Sequence, residues 1–242
     1  EAIAADGGGD VVADRVYGKA LELAAELGGP DVAIAVEVDV TSEDAIRRMF
    51  AETCLAFGGV DLVVNNAGLS LSRALLDTTA DDWDIQHDVM SRGSFLVSRE
   101  AARAMVPQRM GGDIIYIASK NAIFAGPANI AYGASKAAQA HQVRLLAAEL
   151  GEFGIRVNGI NPDGVVQGSG IFSSGWGANR AAVYGVKEED LGQFYAQRTI
   201  LKREVLPLHV ALAVTALASD EFSRTTGLLV PVDSGVAAAF LR

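Results

Sequence analysis

Residues 119–136 read SKNAIFAGPANIAYGASK, and this stretch carries the most informative pattern of the chain. It begins with Ser119, directly after the apolar run 114–118, which is typical of a buried strand. It ends with Tyr132 and Lys136, four residues apart in an alanine-rich segment typical of a helix. Residues at this spacing share one helix face, about 5–6 Å apart at Cβ. The pattern therefore predicts a strand, a loop and a helix that bring Ser119 to Tyr132 and Lys136.

These three residue types suit proton transfer. A free tyrosine has a pKa of about 10 and is a poor base at neutral pH. A lysine cation one turn away favours the phenolate and lowers that pKa, while a serine hydroxyl can hydrogen-bond a substrate oxygen. The combination suits the interconversion of an alcohol and a carbonyl. The alternative is a packed aromatic residue beside a solvated lysine.

Composition narrows the class of protein. The chain has 242 residues, half of them apolar, which predicts one α/β domain over residues 1–242. Its net charge of -10 argues against a surface for nucleic acid or anionic membranes. No apolar run reaches the ~18 residues that a membrane span requires. The single cysteine, Cys54, fits a reducing cytosol, so we expect a cytoplasmic protein. Histidines 87, 141 and 209 show no metal-ligand spacing, and we expect no metal site.

Strand and helix patterns alternate, which predicts a doubly wound parallel sheet with helices on both faces, a three-layer αβα arrangement. The predicted strands are Val11–Asp14, Val32–Val38, Val60–Asn65, Asp113–Ala118, Ile155–Ile160 and Gly227–Val232. The predicted helices are Tyr17–Leu27, Glu43–Phe57, Asp81–Met110, Tyr132–Leu150 and Leu208–Ser219.

Capping signals and one irregular segment complete this outline. Thr41 with Asp44, and Thr79 with Asp82, predict capping boxes, and Pro207 predicts the first turn of the last helix. Residues 164–202 are rich in glycine and aromatic residues, which predicts a long loop that forms a lid or binding loop. The alternative for this segment is an oligomer contact.

Distinctive residues follow the predicted strands at their carboxyl ends, where parallel sheets bind ligands. Asp14 ends the first strand with a carboxylate suited to a ribose 2′-hydroxyl and repulsive to a 2′-phosphate. Asp39-Val40, Asn65-Asn66-Ala67-Gly68 and Asn161-Pro162-Asp163-Gly164-Val165 end the later strands. Each has a structural alternative, namely a helix cap for Asp39 and turns for the asparagine-containing motifs.

Taken together, these motifs resemble those of the short-chain dehydrogenase/reductase superfamily over essentially the whole chain. The resemblance rests on the 65–68 motif, Ser119, Tyr132 with Lys136, and the Asn161-Pro162 turn. It implies a Rossmann-like fold and NAD(P)-dependent oxidoreduction of a small-molecule alcohol or carbonyl. Tyr132 would be the acid/base, Ser119 the partner of the substrate oxygen, and Lys136 would hold the nicotinamide ribose.

The resemblance also implies a cofactor site and an oligomer. Asp14 implies NAD rather than NADP. The implied cofactor-binding residues are Asp14, Asp39, Val40, Asn65, Ala67, Gly68, Tyr132, Lys136, Pro162 and Val165. The family commonly pairs two long helices, here 81–110 and 132–150, so a homodimer or homotetramer is expected. The alanines of the second helix would permit close packing, or they pack on the sheet instead.

A narrower resemblance points to the dehydrogenase half of bifunctional rhamnulose-phosphate aldolase/alcohol dehydrogenases. It rests on residues 119–122, 168–172 with Trp176-Gly177, 180–185 and 232–236. It implies a small hydroxyaldehyde or diol, such as lactaldehyde, as the substrate. The alternatives are a sugar or polyol phosphate, contacted by Arg180, Arg198, Lys202 and Arg203, or a catalytically silent binding protein of the same fold.

Two departures from the family stand out. Residues 6–10 precede a strand, so they do not form the family's glycine-rich nucleotide loop. That loop and the central strand before it, which would lie between the strands ending at Asp14 and Asn65, are expected to be missing, as in an N-terminally truncated domain. The second departure is Met90, which stands where the family usually has an asparagine that supports a water chain to the lysine. We expect a weakened or rerouted proton relay, not a dead site, since the Met90 backbone carbonyl could still hold a water.

Overall fold

The computed structural model describes residues 8–169 and 175–240. Its strands, all parallel, are β1 (Asp10–Asp14), β2 (Ala33–Glu37), β3 (Leu62–Asn65), β4 (Gly112–Ile117), β5 (Ile155–Pro162) and β6 (Leu229–Val232). Its α-helices are α1 (Tyr17–Glu26), α2 (Glu43–Phe57), α3 (Ala80–Gln86), α4 (Gly93–Gln108), α5 (Ile130–Leu150), α6 (Gly177–Tyr184), α7 (Leu191–Gln197) and α8 (Pro207–Ala218). Strands and helices alternate, which confirms the α/β class. The expected truncated helix at residues 1–5 lies outside the described residues.

Two apolar clusters form the core, one on each face of the sheet. Strand β4 shows why, because its side chains alternate between the faces. Ile114 and Tyr116 pack in the cluster with α2, α4 and α5, whereas Ile115 packs in the cluster with α8. The three-layer arrangement is therefore confirmed, and β4 is apolar throughout because both of its faces are covered.

The strands form two separate sheets, β1–β2 and β3–β4–β5–β6. Within the described residues, no strand pairs with β1 on its second edge or with β3 on its outer edge. These two edges are where the resemblance places the family's central strand. Asp14 of β1 and Val64 of β3 line the same cavity, so the two sheets meet at the site.

The helix expected over residues 81–110 is not continuous. It consists of α3, a π-helical turn over His87–Arg92, and α4. Side chains of α5 hold this turn, since Gln139 Nε2 donates to the Met90 carbonyl at 3.0 Å and Gln142 Nε2 donates to the Ser91 carbonyl at 2.9 Å. A π-turn of this kind is common at functional sites. The periodicity of the sequence missed it because both flanking segments are helical.

The capping predictions gave mixed results. Thr79 and Asp82 form the predicted capping box of α3, and Pro207 begins α8 as expected. The box predicted for Thr41 and Asp44 is wrong. Ser42 caps α2 instead and accepts from the Ala45 N–H at 3.3 Å. The Thr41 hydroxyl donates to the Asp39 carboxylate, two residues earlier, at 2.7 Å. This bond turns the Thr41 side chain away from the start of α2.

Two segments are more regular than predicted. β5 runs on through Asn161-Pro162, where a turn was expected, because Pro162 pairs in register with Val232 of β6. The long loop predicted over residues 164–202 contains α6 and α7, whose Ala181, Leu191 and Tyr195 form a small apolar core of their own. Residues 170–174 lie outside the described part, including Ile171 and Phe172 of the narrower resemblance.

Candidate active site

A cavity of about 810 Å³ opens at the carboxyl ends of the strands. Segments that follow β3, β4 and β5 line one side, at residues 66–68, 118–121 and 162–165. Side chains of α6 and α7 line another side, and Tyr132 and Lys136 enter from α5. This is the position expected for a ligand site in a parallel α/β sheet.

Ser119 is positioned by the end of β4. Its backbone is extended, with φ -170° and ψ 154°, and it is the N-cap of a short 3₁₀ turn at residues 120–122. The Ser119 hydroxyl accepts from the Asn121 N–H at 3.1 Å, which fixes its side chain at the cavity wall. Ser119 is 5% exposed.

Tyr132 and Lys136 lie one turn apart on α5, as the sequence predicts. Tyr132 is in the first turn of this helix, which begins at Ile130. Lys136 Nζ donates to the Ile117 carbonyl at 2.8 Å and lies 5.8 Å from the centroid of the Tyr132 ring. Ser119, Tyr132 and Lys136 all line the cavity, so the structure brings the three residues together.

The electrostatics of this group differ from the expectation. Burial raises the pKa of Tyr132 to about 12, and the nearby Ser119 side chain opposes this only partly. Burial also lowers the pKa of Lys136 to about 7. Lys136 therefore does not produce the expected lowering of the Tyr132 pKa. The reason is that desolvation acts on both groups, and a lysine that is partly neutral at pH 7 gives little charge to its neighbour.

Most of the predicted cofactor residues line the cavity. These are Asp14, Ala67, Gly68, Tyr132, Lys136, Pro162 and Val165. The Asp14 carboxylate is exposed, and its Oδ1 accepts from the Val16 N–H at 2.7 Å. It thus caps the turn after β1 while facing the cavity. Gly68 adds no side chain to the wall, so a ligand can approach its backbone closely.

Three predicted cofactor residues lie away from the cavity wall. Asp39 accepts from the Thr41 N–H and hydroxyl, and the hydroxyl bond is the main reason why its pKa is lowered. Val40 packs against Gly93 at the start of α4, so closely that a Cβ on Gly93 would lie 2.9 Å from Val40 Cγ2. These contacts give Asp39 and Val40 structural roles, and their predicted contact with the cofactor stays a prediction.

Asn65 is the third predicted residue that does not line this cavity. It is buried, and its Nδ2 donates to Ser98 Oγ at 2.9 Å on the α4 side of the sheet. Its neighbour Asn66 lines the cavity instead. Side chains alternate along a strand, and Asn65 shares its face with Val63, which packs in the α4 cluster.

Met90 is buried in the π-turn, beside the first turn of α5. Its Sδ lies 3.9 Å from the Ser135 hydroxyl, and its carbonyl accepts from both Gln139 Nε2 and the Ser94 hydroxyl. A carbonyl oxygen has two lone pairs, and both are used here. The expectation that this carbonyl holds a water is therefore not supported by the geometry.

Sequence reasoning missed the role of Lys120. This residue is 5% exposed, and its Nζ lies 3.4 Å from Asp163 Oδ1 within the cavity wall. Burial lowers the pKa of Lys120 and raises that of Asp163. The available signal was its position directly after Ser119 at a strand end. Trp176, Tyr184 and Tyr195 also line the cavity.

The described residues contain neither a membrane-spanning helix nor a cluster of side chains suited to a metal ion. None of their helices is both long enough and apolar enough to cross a bilayer. No group of three or more histidine, cysteine, aspartate or glutamate side chains in the same residues is arranged to hold a metal ion.

Comparison with known proteins identifies the family. The family model described as "Enoyl-(Acyl carrier protein) reductase" matches residues 2–237. The uncharacterized oxidoreductase YuxG of Bacillus subtilis (strain 168) is 43% identical over 242 residues, which are 99% of this chain and 35% of that protein. The chain thus spans about a third of the length of this relative.

Solved structures agree. The crystal structure of sorbitol-6-phosphate 2-dehydrogenase from Erwinia amylovora superposes with a TM-score of 0.91 at 27% identity, covering 99% of this chain and 93% of that one. A short-chain type dehydrogenase/reductase from Mycobacterium marinum gives a TM-score of 0.84 at 30% identity, covering 98% and 88%. The family match and the two solved structures place this α/β fold among dehydrogenases and reductases of the short-chain type. The chain belongs to the short-chain dehydrogenase/reductase family, whose enzymes act on CH–OH groups and use NAD(P).

The residues of the cavity fit such a cofactor. Asp14 supplies a carboxylate for a ribose, and the backbone at Ala67-Gly68 leaves room for close approach. Lys136 lines the same cavity, one helical turn from Tyr132. The wall therefore offers a carboxylate and an ammonium group that a dinucleotide could contact.

Proposed function

We propose that this chain interconverts an alcohol and a carbonyl compound with NAD, and that Tyr132 transfers the proton. The observation that carries the proposal is that Ser119, Tyr132 and Lys136 line one cavity with Lys136 Nζ anchored to the Ile117 carbonyl. In the oxidation direction, the substrate hydroxyl gives its proton to the Tyr132 oxygen. When bound, the nicotinamide would accept the hydride from the carbon that carries this hydroxyl.

The remaining roles follow from position. Ser119 hydrogen-bonds the substrate oxygen and holds it beside Tyr132. Lys136 would contact the nicotinamide ribose, and the Ile117 carbonyl that accepts from its Nζ favours the charged form of the lysine. A charged Lys136 next to the ring would lower the high pKa of Tyr132.

The cofactor is proposed to be NAD rather than NADP. The exposed Asp14 carboxylate faces the cavity at the end of β1, where it can accept from a ribose 2′-hydroxyl and would repel a 2′-phosphate.

A small hydroxyaldehyde or diol, such as lactaldehyde, is the proposed substrate. It rests on the residues that resemble the dehydrogenase half of bifunctional rhamnulose-phosphate aldolase/alcohol dehydrogenases. A second candidate, a sugar or polyol phosphate, is favoured by Arg180 and Arg198, which line the cavity. Lys202 and Arg203, also expected as phosphate contacts, are exposed and lie outside the cavity wall.

The experiment is nicotinamide-dependent turnover of lactaldehyde, 1,2-propanediol, and a polyol with its phosphate. Saturable turnover with NAD is expected. Tight NAD binding without turnover on any of these compounds would favour the catalytically silent binding protein instead, and binding of neither cofactor would refute the nucleotide site.

The proposed assembly is a homodimer or homotetramer that pairs α4 and α5. Ala137 and Ala148 on α5 are exposed, while Ala140 and Ala147 face the core, so the exposed pair is free for another chain. Phe95 of α4 is 44% exposed beside a groove between the two helices. Sedimentation of the protein against Phe95→Glu tests this, and a monomeric parent protein would contradict it.

A further inference from the structure

Positive charge is concentrated in one part of the cavity wall. Lys120, Arg180 and Arg198 line it together with the carboxylate of Asp163. A second carboxylate, Asp233, lies close enough to raise the pKa of Asp163, and its Oδ1 accepts from the Gly235 N–H at 2.8 Å. Three cations therefore share two carboxylates. The chain as a whole has a net charge of -10, so this local excess is not a general property of its surface.

Arg180 is the most buried of the cations, with 3% of its surface exposed. Its Nη1 donates to the Pro127 carbonyl at 3.0 Å and lies 3.4 Å from Ser72 Oγ, and its Nη2 donates to the Tyr184 hydroxyl. All of these acceptors are uncharged. Arg180 Nε is buried and has no acceptor among the described residues. The guanidinium is thus fixed in place without a carboxylate partner.

Arg198 is held by aromatic rings instead. Its guanidinium lies 5.2 Å from the centroid of Tyr184 and 5.5 Å from those of Phe194 and Tyr195. The guanidinium of Arg180 contacts the same Tyr184 ring at 4.7 Å. Arg198 Nη1 is buried, again with no acceptor in the part of the chain that the structure describes. Ring contacts of this kind orient a guanidinium and leave its edge available to a ligand.

Burying a charge without a counter-charge is strongly unfavourable, and this applies above all to Arg180, since Arg198 is half-buried and interacts electrostatically with Asp163. A fold that places two guanidiniums against one ring gains from an anion that accepts from both. Carboxylates and phosphates match the planar donor pattern of arginine. We propose that Arg180 and Arg198, assisted by Lys120, form a subsite for an anionic group, a carboxylate or a phosphate monoester, that the substrate carries.

The subsite and the reaction centre belong to one small molecule. Lys120 is the residue after Ser119, and its partner Asp163 acts electrostatically on both Lys120 and Tyr132. A ligand anchored at the guanidiniums therefore presents its hydroxyl-bearing carbons to Tyr132. This inference rests on the proposed alcohol–carbonyl oxidoreduction at the same site, and within it favours an anionic substrate, such as the polyol phosphate of the second candidate, over a neutral hydroxyaldehyde or diol.

The test compares matched pairs of substrates that differ only in the anionic group. One pair is a polyol and its terminal phosphate, and the other is a 1,2-diol and the corresponding 2-hydroxycarboxylate. The variant is Arg198→Met, which keeps a stem of similar length for packing but removes the charge. Arg203→Met, on the exposed surface, is the matched control.

We expect the unmodified protein to turn over at least one anionic member with the higher kcat/KM. Arg198→Met should lower kcat/KM for that compound by about 10- to 100-fold, mainly through KM, as expected for losing a charge-assisted hydrogen bond. The neutral member should change less than about twofold, and Arg203→Met should change neither. Preference for the phosphate or for the carboxylate identifies the group. Equal loss on both members of a pair, or preference for the neutral members, would overturn the subsite.

A binding experiment separates failure of the subsite from failure of the proposed function. Inorganic phosphate should raise the thermal unfolding midpoint of the unmodified protein and of Arg203→Met, but not that of Arg198→Met. If this pattern appears without any turnover, the subsite stands and the proposed function fails. If phosphate protects all three proteins equally, an adventitious ion only is bound and the subsite is refuted.

Discussion

Two buried tyrosines, one within the apolar core and one at the cavity, show how one residue type serves structure in one place and chemistry in another. Burial raises the pKa of both Tyr116 and Tyr132 to about 12. Tyr116 faces the α4 side, where its hydroxyl meets Ser98 Oγ at 2.7 Å, the Ser94 carbonyl at 3.2 Å and Gln142 Oε1 at 3.3 Å. Tyr132 faces the cavity, beside Ser119 and Lys136.

The difference lies in how far each hydroxyl is satisfied within the protein. The Tyr116 network continues through Ser98 to Asn65, so polar groups on that side pair with one another and hold β3, β4 and α4 together. On the cavity side, Arg180 Nε and Arg198 Nη1 have no acceptor among the described residues. Buried polar groups that are satisfied specify the fold, whereas those left open face a ligand.

The largest expected effect is on Tyr132→Phe. Removing the hydroxyl should lower kcat by about 10²- to 10⁴-fold, because general acid–base catalysis contributes that much. The free energy of unfolding should fall by no more than about 1 kcal/mol, because the lost hydroxyl is hydrogen-bonded to the Ser119 side chain, whereas that of Tyr116 has three close partners. Steady-state kinetics and urea unfolding measure the two quantities. Retained turnover in this variant would show that another group transfers the proton.

Lys136 gives a pH-dependent effect on stability. Its folded pKa is about 7, below an ordinary lysine pKa of about 10.4 in the unfolded chain. The unfolded chain therefore binds more protons between these values, and stability rises with pH across this window and is penalised below it. The unmodified protein should gain about 2 kcal/mol more than Lys136→Met between pH 7 and pH 9.

Urea unfolding of both proteins at the two pH values measures this difference, and groups common to both cancel. Parallel pH profiles would mean that Lys136 stays fully charged in the fold. The exposed Lys19→Met is the control and should follow the unmodified protein.

Tyr116→Phe should show the reverse of Tyr132→Phe. Loss of the hydroxyl leaves the buried Ser98 and Gln142 with fewer partners, so we expect about 1–2 kcal/mol of destabilisation. Turnover should stay within about threefold of the unmodified protein, because Tyr116 does not contact the cavity. A loss of activity without a loss of stability would mean that the Tyr116 hydrogen-bond network is coupled to the cavity.

The same contrast explains what the sequence could predict. Strand ends and the helical spacing of Tyr132 and Lys136 are local patterns, and the cavity collects most residues found in this way. Which of two adjacent asparagines faces the cavity depends on the phase of β3 relative to α4, and neither periodicity nor composition fixes that phase. The sequence therefore predicts a site at the 65–68 motif but does not show that Asn66 lines the cavity while Asn65 faces α4.

The sequence also does not show which of two opposing effects determines a pKa. The effect of Lys136 on the Tyr132 pKa depends on whether charge or desolvation dominates, and burial depth decides this. The π-turn at Met90 depends on Gln139, about fifty residues further along the chain. The sequence suggests Arg180 as a phosphate contact. Its burial and its neutral hydrogen-bond acceptors are properties of the packed structure alone.

The smallest expected effect concerns Asp14, the cavity residue proposed to contact the adenosine ribose, and the preference for NAD over NADP. Asp14 and Glu37 are register partners on β1 and β2, and both are exposed, but only Asp14 lines the cavity. Asp14→Ala should reduce the preference for NAD over NADP by about 5- to 10-fold, because the repulsion of a 2′-phosphate is lost. Glu37→Ala should leave the preference unchanged. The ratio of kcat/KM for the two cofactors measures the effect. An equal change in both variants would indicate a general charge effect and remove the assignment of Asp14 to the ribose.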